Sequence, residues 1–479
     1  MGPTTRDMPS EDFRAHALDV VEWIATYLED VSQLPVLAQI QPGDVRASLP
    51  LAPPEQGEAF DRVLEDFRNL IVPGITHWNH PSFFAYFANT GSGPGILGEM
   101  LAAALNVNAM IWRSCPAATE LEEHTLDWLR QALGLPEGLH GTINDTASSS
   151  SLYALAAARE QGLPQARTDG LAGGPAGVFY TSVEAHSSIE KAVITLGFGT
   201  NGVHKVGVDE LFRLDPRALR SAIESDVAAG RKPLAVVATL GTTSSGSVDP
   251  VAEIAEVAEA FGLWLHVDAA YGGPAAILPE MGEHFLGWER ADSIVVNPHK
   301  WLFTPVDCSV LYCRRPEMLR QAFSLRPDYL RTDDGDGTTD LMDYGISLGR
   351  RFRALKLWFV IRYFGVLGLG ERIREHIRLG RLVGDWVEEH PDWELMAPVI
   401  FGTPVFRYAP RGRSPEEQDR LNQDVLDRAN ATGEAFFSST RLKGRLTLRL
   451  SVGNLRTTED HVRRGWELLK RSSEAASPV

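Results

Sequence analysis

Residues 263–273 read Leu-Trp-Leu-His-Val-Asp-Ala-Ala-Tyr-Gly-Gly, and residues 293–301 read Ser-Ile-Val-Val-Asn-Pro-His-Lys-Trp. Each is a short apolar run that breaks into polar or glycine-containing residues. That is the pattern of a buried strand and the turn after it. Residues 177–182 and 234–240 have the same form, and helical pattern lies between most of the four runs, most clearly at 252–261. Buried strands alternating with helices predict an α/β fold with a mostly parallel sheet covered by helices. Ligands then bind beyond the carboxyl ends of the strands. Asp268 and Lys300 stand there, about one βαβ unit apart. Spacing alone is also satisfied by a buried salt bridge.

Working outward, Phe13, Ala17, Val20, Ile24, Leu28 and Val31 recur at helical steps behind Ser10, Glu11 and Asp12, residues suited to a helix start. A Pro/Gly-containing connector at 41–57 leads to a second helix at 58–70. These helices predict an arm over residues 1–87, ahead of a large α/β domain over 88–355. Beyond it, an apolar helix at 355–363 ends near Gly365, and strands are expected around 399–408 and 445–452. This predicts a small C-terminal α+β domain over 356–479. Residues 331–343, RTDDGDGTTDLMD, are acidic and Gly-rich without apolar periodicity, and predict a mobile loop that serves as a lid.

Composition narrows the function. The 479 residues are 44% hydrophobic and 23% charged, ordinary for a soluble globular chain. Lys and Arg number 46 against 63 Asp and Glu, a formal charge of −17. Such a surface repels nucleic acid and anionic lipid. Three cysteines make no disulfide framework and fit a reducing compartment. The N-terminus lacks the apolar run of a signal peptide, and the Ala/Leu-rich piece at 96–107 is too short to span a membrane and contains Glu99. The expected location is the cytoplasm. His77 and His80 are only two possible ligands, so no metal is expected.

The Lys–Asp pairing has a specific use. A lysine amine condenses with an aldehyde to a Schiff base, and pyridoxal phosphate needs that lysine together with an acid for its pyridinium nitrogen. Its phosphate needs an anion cradle. Asp145-Thr146-Ala147-Ser148 opens a helix at 149–160, and N–H groups at a helix start supply one. Alone, Ser or Thr before a helix is usually a cap. Thr242 to Ser245 follow the strand at 234–240 and could hold a phenolic oxygen or simply close a turn. His186 follows the strand at 177–182, where an imidazole can stack on a planar cofactor or be an ordinary structural residue.

With these motifs together, the chain resembles the group II pyridoxal-phosphate decarboxylases, in the aromatic-L-amino-acid decarboxylase branch. Further motifs carry the likeness along nearly the whole chain: Thr76-His77-Trp78, Phe83-Phe84-Ala85-Tyr86-Phe87, Pro116-Ala117, Thr119-Glu120-Leu121-Glu122 and Leu348-Gly349-Arg350-Arg351-Phe352-Arg353. The resemblance implies a fold-type I homodimer with active sites at the subunit interface. It implies that Lys300 links to the cofactor, Asp268 pairs with the pyridinium, and His186 stacks on the ring. Ala147, Ser148, Asn297 and His299 would hold the phosphate, with Thr243 and Ala270 against the cofactor. Tyr329 would return a proton to the substrate carbon, and Arg350 would organise substrate carboxylate or lid. Trp78, Phe87, Met110 and Gly349 would line the substrate pocket.

Some positions depart from the family pattern. Asp145 stands where the family usually has Gly, and Asn108 and Met110 where the branch commonly has Ile and Phe. Gly349 replaces the serine of some phenol-preferring relatives and leaves room for an indole. The implied activity is decarboxylation of Trp, Phe, Tyr or Dopa to the amine. The alternatives are an oxidative aldehyde synthase, a histidine decarboxylase, or a silent homologue acting only as a binding protein.

Overall fold

The computed structural model describes residues 7–325 and 338–476. A seven-stranded sheet holds β1 (His140–Asn144), β2 (Gly177–Ser182), β3 (Val203–Val206), β4 (Lys232–Thr239), β5 (Trp264–Asp268), β6 (Ser293–Val296) and β7 (Ser309–Cys313), in the order β1-β7-β6-β5-β4-β2-β3. β7 is antiparallel to both its neighbours; the other pairings are parallel. The four runs read as strands are β2, β4, β5 and β6, the centre of the parallel part.

Every residue of β2, β5 and β6 is buried, as continuous apolar runs require. The helix Ala147–Gly162 covers one face, packing Ala154, Leu155 and Ala158 against Phe179, Val237 and Trp264. The helix Val251–Ala260 covers the other, packing Ile254, Ala255 and Ala258 against Val236 and Leu265.

A smaller antiparallel sheet follows, formed by β8 (Trp393–Leu395), β9 (Val405–Tyr408), β10 (Ser438–Leu442) and β11 (Arg445–Arg449) in the order β10-β11-β9-β8. The helix Ala354–Glu389 joins the two sheets. Gly365 breaks it with a φ of 64°, which a side chain would strain. Ahead of the break Leu357 and Val360 pack in the large core; well beyond it Leu379, Val383 and Val387 pack in the small one.

The first helix, Ser10–Asp30, has no fully buried residue, and Phe13 is 64% exposed. The second expected helix is short, Phe60–Asp66, and widens into a π-turn at Phe67–Ile71; the expected connector ahead of it carries a further short helix, Asp44–Ser48. The chain then runs between the two sheets. The Phe84 N–H donates to Phe436 O, and Phe84 O accepts from Ser451 N–H. This threading brings Phe87 beside the ends of the central strands.

Part of the expected lid, residues 331–337, lies outside the described residues. Its far end is packed rather than loose: Leu341–Tyr344 is a 3-10 turn with Leu341, Met342 and Asp343 buried, and the Met342 N–H donates to Met110 O at 2.9 Å. The apolar pair Leu341-Met342 accounts for the difference, because burying it anchors the turn.

Candidate active site

β5 and β6 run parallel with Asp268 opposite Val295, so the residues after each strand emerge side by side. The Asn297 N–H donates to Ala270 O at 3.2 Å and ties the two turns together. Lys300 follows on the single-turn helix Pro298–Trp301. Asp268 is buried, and its Oδ1 accepts the Ala270 N–H at 3.1 Å. Burial, reinforced by the Arg449 cation, lowers the pKa of the Lys300 amine; the Asp268 carboxylate opposes both.

Beneath the amine lies an aromatic wall. Lys300 Nζ sits 5.3 Å from the Phe87 ring centroid. Phe87 stacks on Tyr271 at 3.8 Å, and Tyr271 on Trp301 at 5.0 Å. The Trp301 indole N–H donates to His376 Nδ1 at 2.9 Å. The Tyr271 hydroxyl bonds Thr403 at 3.0 Å, and burial pushes its pKa up to about 12.

His186 caps the helix Ser187–Thr195, its Nδ1 accepting the Ser188 N–H at 3.2 Å. A neutral ring bonded this way carries its proton on Nε2. Burial lowers the His186 pKa, with the Lys300 and Lys191 cations acting in the same sense and Asp268 against them. In the turn after β4, Thr242, Ser245 and Ser247 bond one another, while Thr243 stays outside that network, half-buried.

The phosphate candidates lie on two segments, the helix start after β1 and the turn after β6. Thr146 caps the helix Ala147–Gly162, and Asp145 Oδ1 accepts the Thr146 N–H at 2.7 Å. The unusual Asp145 is thus exposed and bonded to the backbone just ahead of the cap. The N–H groups of Ala147 and Ser148 have no partner among the described residues.

Asn297 and His299 are both buried, with Asn297 Nδ2 3.3 Å from His299 Nε2. His299 Nδ1 accepts the Cys308 N–H at 3.0 Å, and burial pushes the ring pKa down to about 4. Its single proton therefore sits on Nε2, which suits an amide oxygen. Asn297 Oδ1 is buried without a partner, and turning the amide places it against that proton. The Asn297 NH2 then needs an acceptor in a buried setting, and a phosphate oxygen supplies one. An amine, an acid and a buried donor after the adjoining strands β5 and β6, with a helix start after β1 of the same sheet, fit pyridoxal phosphate.

The remaining predicted residues lie elsewhere. Arg350 is buried, with Nη2 2.7 Å from Glu122 Oε1 and 2.8 Å from Ile143 O. Its own N–H donates to Asn108 Oδ1 at 2.9 Å, and Asn108 Nδ2 reaches Met110 Sδ at 3.5 Å. The polar Asn108 thus ties the Met110 loop to the Arg350 loop, beside Gly349. Trp78 is 37% exposed and stacks with Phe83 and Tyr86. Among the described residues, no hydrogen bond, ion pair or ring contact joins Met110, Gly349, Arg350 or Trp78 to Lys300. Tyr329 lies outside the described residues. Sequence reasoning missed Arg449, whose guanidinium carbon is 5.1 Å from the Phe87 centroid. Its one signal was an arginine inside an apolar strand, Leu446-Thr447-Leu448-Arg449-Leu450.

Fold and site together define a fold-type I enzyme that works with pyridoxal 5′-phosphate. Residues 42–409 match the family model described as the pyridoxal-dependent decarboxylase conserved domain. Tryptophan decarboxylase 1 of Oryza sativa subsp. japonica is 38% identical, over 98% of this chain and 96% of that protein. Phenylacetaldehyde synthase of Arabidopsis thaliana is also 38% identical, over 98% of each chain. The crystal structure of Oryza sativa TDC with PLP and tryptamine superposes with a TM-score of 0.95 at 38% identity, over 98% of this chain and 99% of that one. The chain belongs to the group II pyridoxal-phosphate decarboxylases, in the aromatic-L-amino-acid decarboxylase family.

Proposed function

We propose that this chain decarboxylates an aromatic L-amino acid of the Trp, Phe, Tyr or Dopa class and releases the amine and carbon dioxide. The observation that carries the reading is the juxtaposition of Lys300 and Asp268 after adjoining strands, set against the wall of Phe87, Tyr271 and Trp301. The relatives' names support an aromatic substrate.

Bound pyridoxal phosphate supplies an aldehyde that condenses with amines and a protonated ring that accepts the electron pair of the breaking Cα–carboxylate bond. Lys300 would hold the cofactor through its amine, and burial favours the nucleophilic, uncharged form of that amine. Asp268 keeps the ring nitrogen protonated. His186, a neutral imidazole, would stack on the ring. Ala147, Ser148, Asn297 and His299 hold the phosphate, while Thr243 and Ala270 line the cofactor. The aromatic wall excludes water from the reacting carbon. Tyr329 returns the proton to that carbon.

Arg350 acts through position in this reading. Paired with Glu122, it holds the Met110 and Gly349 loops, which with Trp78 complete the substrate pocket across a homodimer axis. An apolar face supports such a dimer: Leu97, Leu101 and Leu105 lie exposed on the helix Gly93–Leu105, and Leu367 nearby in sequence to the Gly365 break is 84% exposed.

Likeness to a phenylacetaldehyde synthase favours a second reading, oxidative release of an aldehyde with peroxide and ammonia. Products formed by the holoenzyme from a panel of L-amino acids test both. The expected result is amine and carbon dioxide in equal amounts from aromatic substrates. Aldehyde with peroxide supports the second reading, and turnover confined to L-glutamate or another acidic substrate overturns both.

A further inference from the structure

Arg449 closes β11 in the small sheet with 3% of its surface exposed. Its guanidinium carbon and the Lys300 amine lie 5.1 and 5.3 Å from the same Phe87 ring centroid. Nη1 donates to Ser438 Oγ at 3.1 Å, while Nε and Nη2 are buried with no partner among the described residues. No carboxylate stands within ion-pair distance of Arg449 among those residues. Burial pulls its pKa down to about 10, so it remains a cation at neutral pH.

A buried, unpaired charge is costly, and retaining one calls for a use. Ser438 Oγ also accepts the N–H of Tyr86, the residue before Phe87, at 3.1 Å. One hydroxyl of the small domain therefore holds both the arginine and the segment that carries the shared ring. The titratable groups around Lys300 are Asp268 from β5, Tyr271 just beyond it, His186 at its helix start, His299 beside it and Arg449 from β11. Both imidazoles and the phenol are uncharged at neutral pH, as their shifts require. Asp268 favours a cation at Lys300, and Arg449 is the fixed charge that opposes it.

We infer that Arg449 is a positioning residue of the active site: from the small domain its guanidinium, which no carboxylate neutralises among the described residues, shares the Phe87 ring with Lys300 and repels a second cation there. The lysine is thereby kept nucleophilic while Asp268 stays next to it. The inference rests on Lys300 being the cofactor-linked lysine. It also ties that reactivity to the seating of the small sheet, since a shift of β11 moves the charge.

The test is the rate at which the visible absorption band of bound cofactor grows when pyridoxal phosphate is added to the full-length chain stripped of cofactor, followed as a function of pH. The rate should rise with the uncharged fraction of Lys300. Arg449→Gln should move the midpoint up by about one pH unit. Arg449→Lys, which keeps a charge, should move it by less than half as much. Ser438→Ala, which loosens the guanidinium, should shift it in the same direction. A midpoint in Arg449→Gln equal to that of the unsubstituted chain overturns the inference. So does an unmoved midpoint with a roughly tenfold rise in KM for the amino acid, which would make Arg449 a binder of substrate carboxylate. Where Arg449→Gln fails to fold, unmoved midpoints in Arg449→Lys and Ser438→Ala overturn it. Lys300→Ala separates the underlying assignment: a band that still forms there refutes the role of Lys300 and leaves no midpoint to assign to it.

Discussion

His299 shows how far one hydrogen bond reaches. By accepting the Cys308 N–H on Nδ1, it fixes its own proton on Nε2 and decides which way Asn297 must turn. The Asn297 amide then faces the site as a buried donor. Asn297→Ala should weaken pyridoxal phosphate binding roughly tenfold, the loss of one hydrogen bond to a charged group, measurable by fluorescence titration. Unchanged affinity would remove Asn297 from the phosphate site. Tyr329 has a different signature. Tyr329→Phe should divert product from amine toward aldehyde, read by chromatography of both, and an unchanged amine yield would remove its role as proton donor. At this scale the sequence was most legible where a residue type has one chemical use. Lys300 with Asp268 pointed to pyridoxal phosphate before any geometry. Arg449 did not, because an arginine in a short strand reads as surface, and only the packing of β11 on Phe87 turns it inward.

The elements divide by how they are buried. β2, β4, β5 and β6 were legible because covering on both faces forces continuous apolar runs. β3 and β10 were not: β3 is an edge strand carrying His204 and Lys205, and β10 reads Ser-Ser-Thr-Arg-Leu with its middle residues partly open to solvent. The loops around β1 rest on side-chain chemistry instead. Glu122 Oε1 accepts the Ile143 N–H at 2.9 Å while its carboxylate pairs with Arg350, so one buried acid joins the helix Pro116–Ala132, β1 and the Arg350 loop. Glu122→Gln keeps the shape and removes the charge. Leaving Arg350 buried without its counterion should cost about 3 kcal/mol, read as a lower urea midpoint at constant slope. A midpoint unchanged within error would contradict the clamp.

For the whole molecule, the sheet order positions the site, and buried histidines set the pH response. Burial pushes His80, His266, His299 and His376 each down to about 4. In the unfolded chain they titrate near 6.5. As pH falls below about 6.5 the unfolded chain takes up protons that the folded chain refuses, so stability falls between about 6.5 and 4. Asp249 acts in the opposite sense. Burial raises its pKa to about 7, so the folded chain binds that proton first and gains stability as pH falls from about 7. Four histidines against one aspartate leave a net loss on acidification, on the order of a few kcal/mol between pH 7.5 and 5. Urea midpoints at the two values check it; an equal or higher midpoint at pH 5 would contradict the accounting. The family likeness was legible end to end because its motifs are spread along the chain. What covers the exposed faces of Ser10–Asp30 and Gly93–Leu105 was not, since an apolar helix face reads alike whether it packs on its own chain or on another.

The central claim is that the chemistry is carried by Lys300 at the end of β6, next to Asp268. The most direct measurement is the absorption spectrum and amine output of Lys300→Ala, purified with pyridoxal phosphate and given L-tryptophan, L-phenylalanine, L-tyrosine and L-Dopa. The account predicts loss of the lysine-linked visible band and of amine formation together, in a protein that remains folded. A retained band with amine still produced would contradict it.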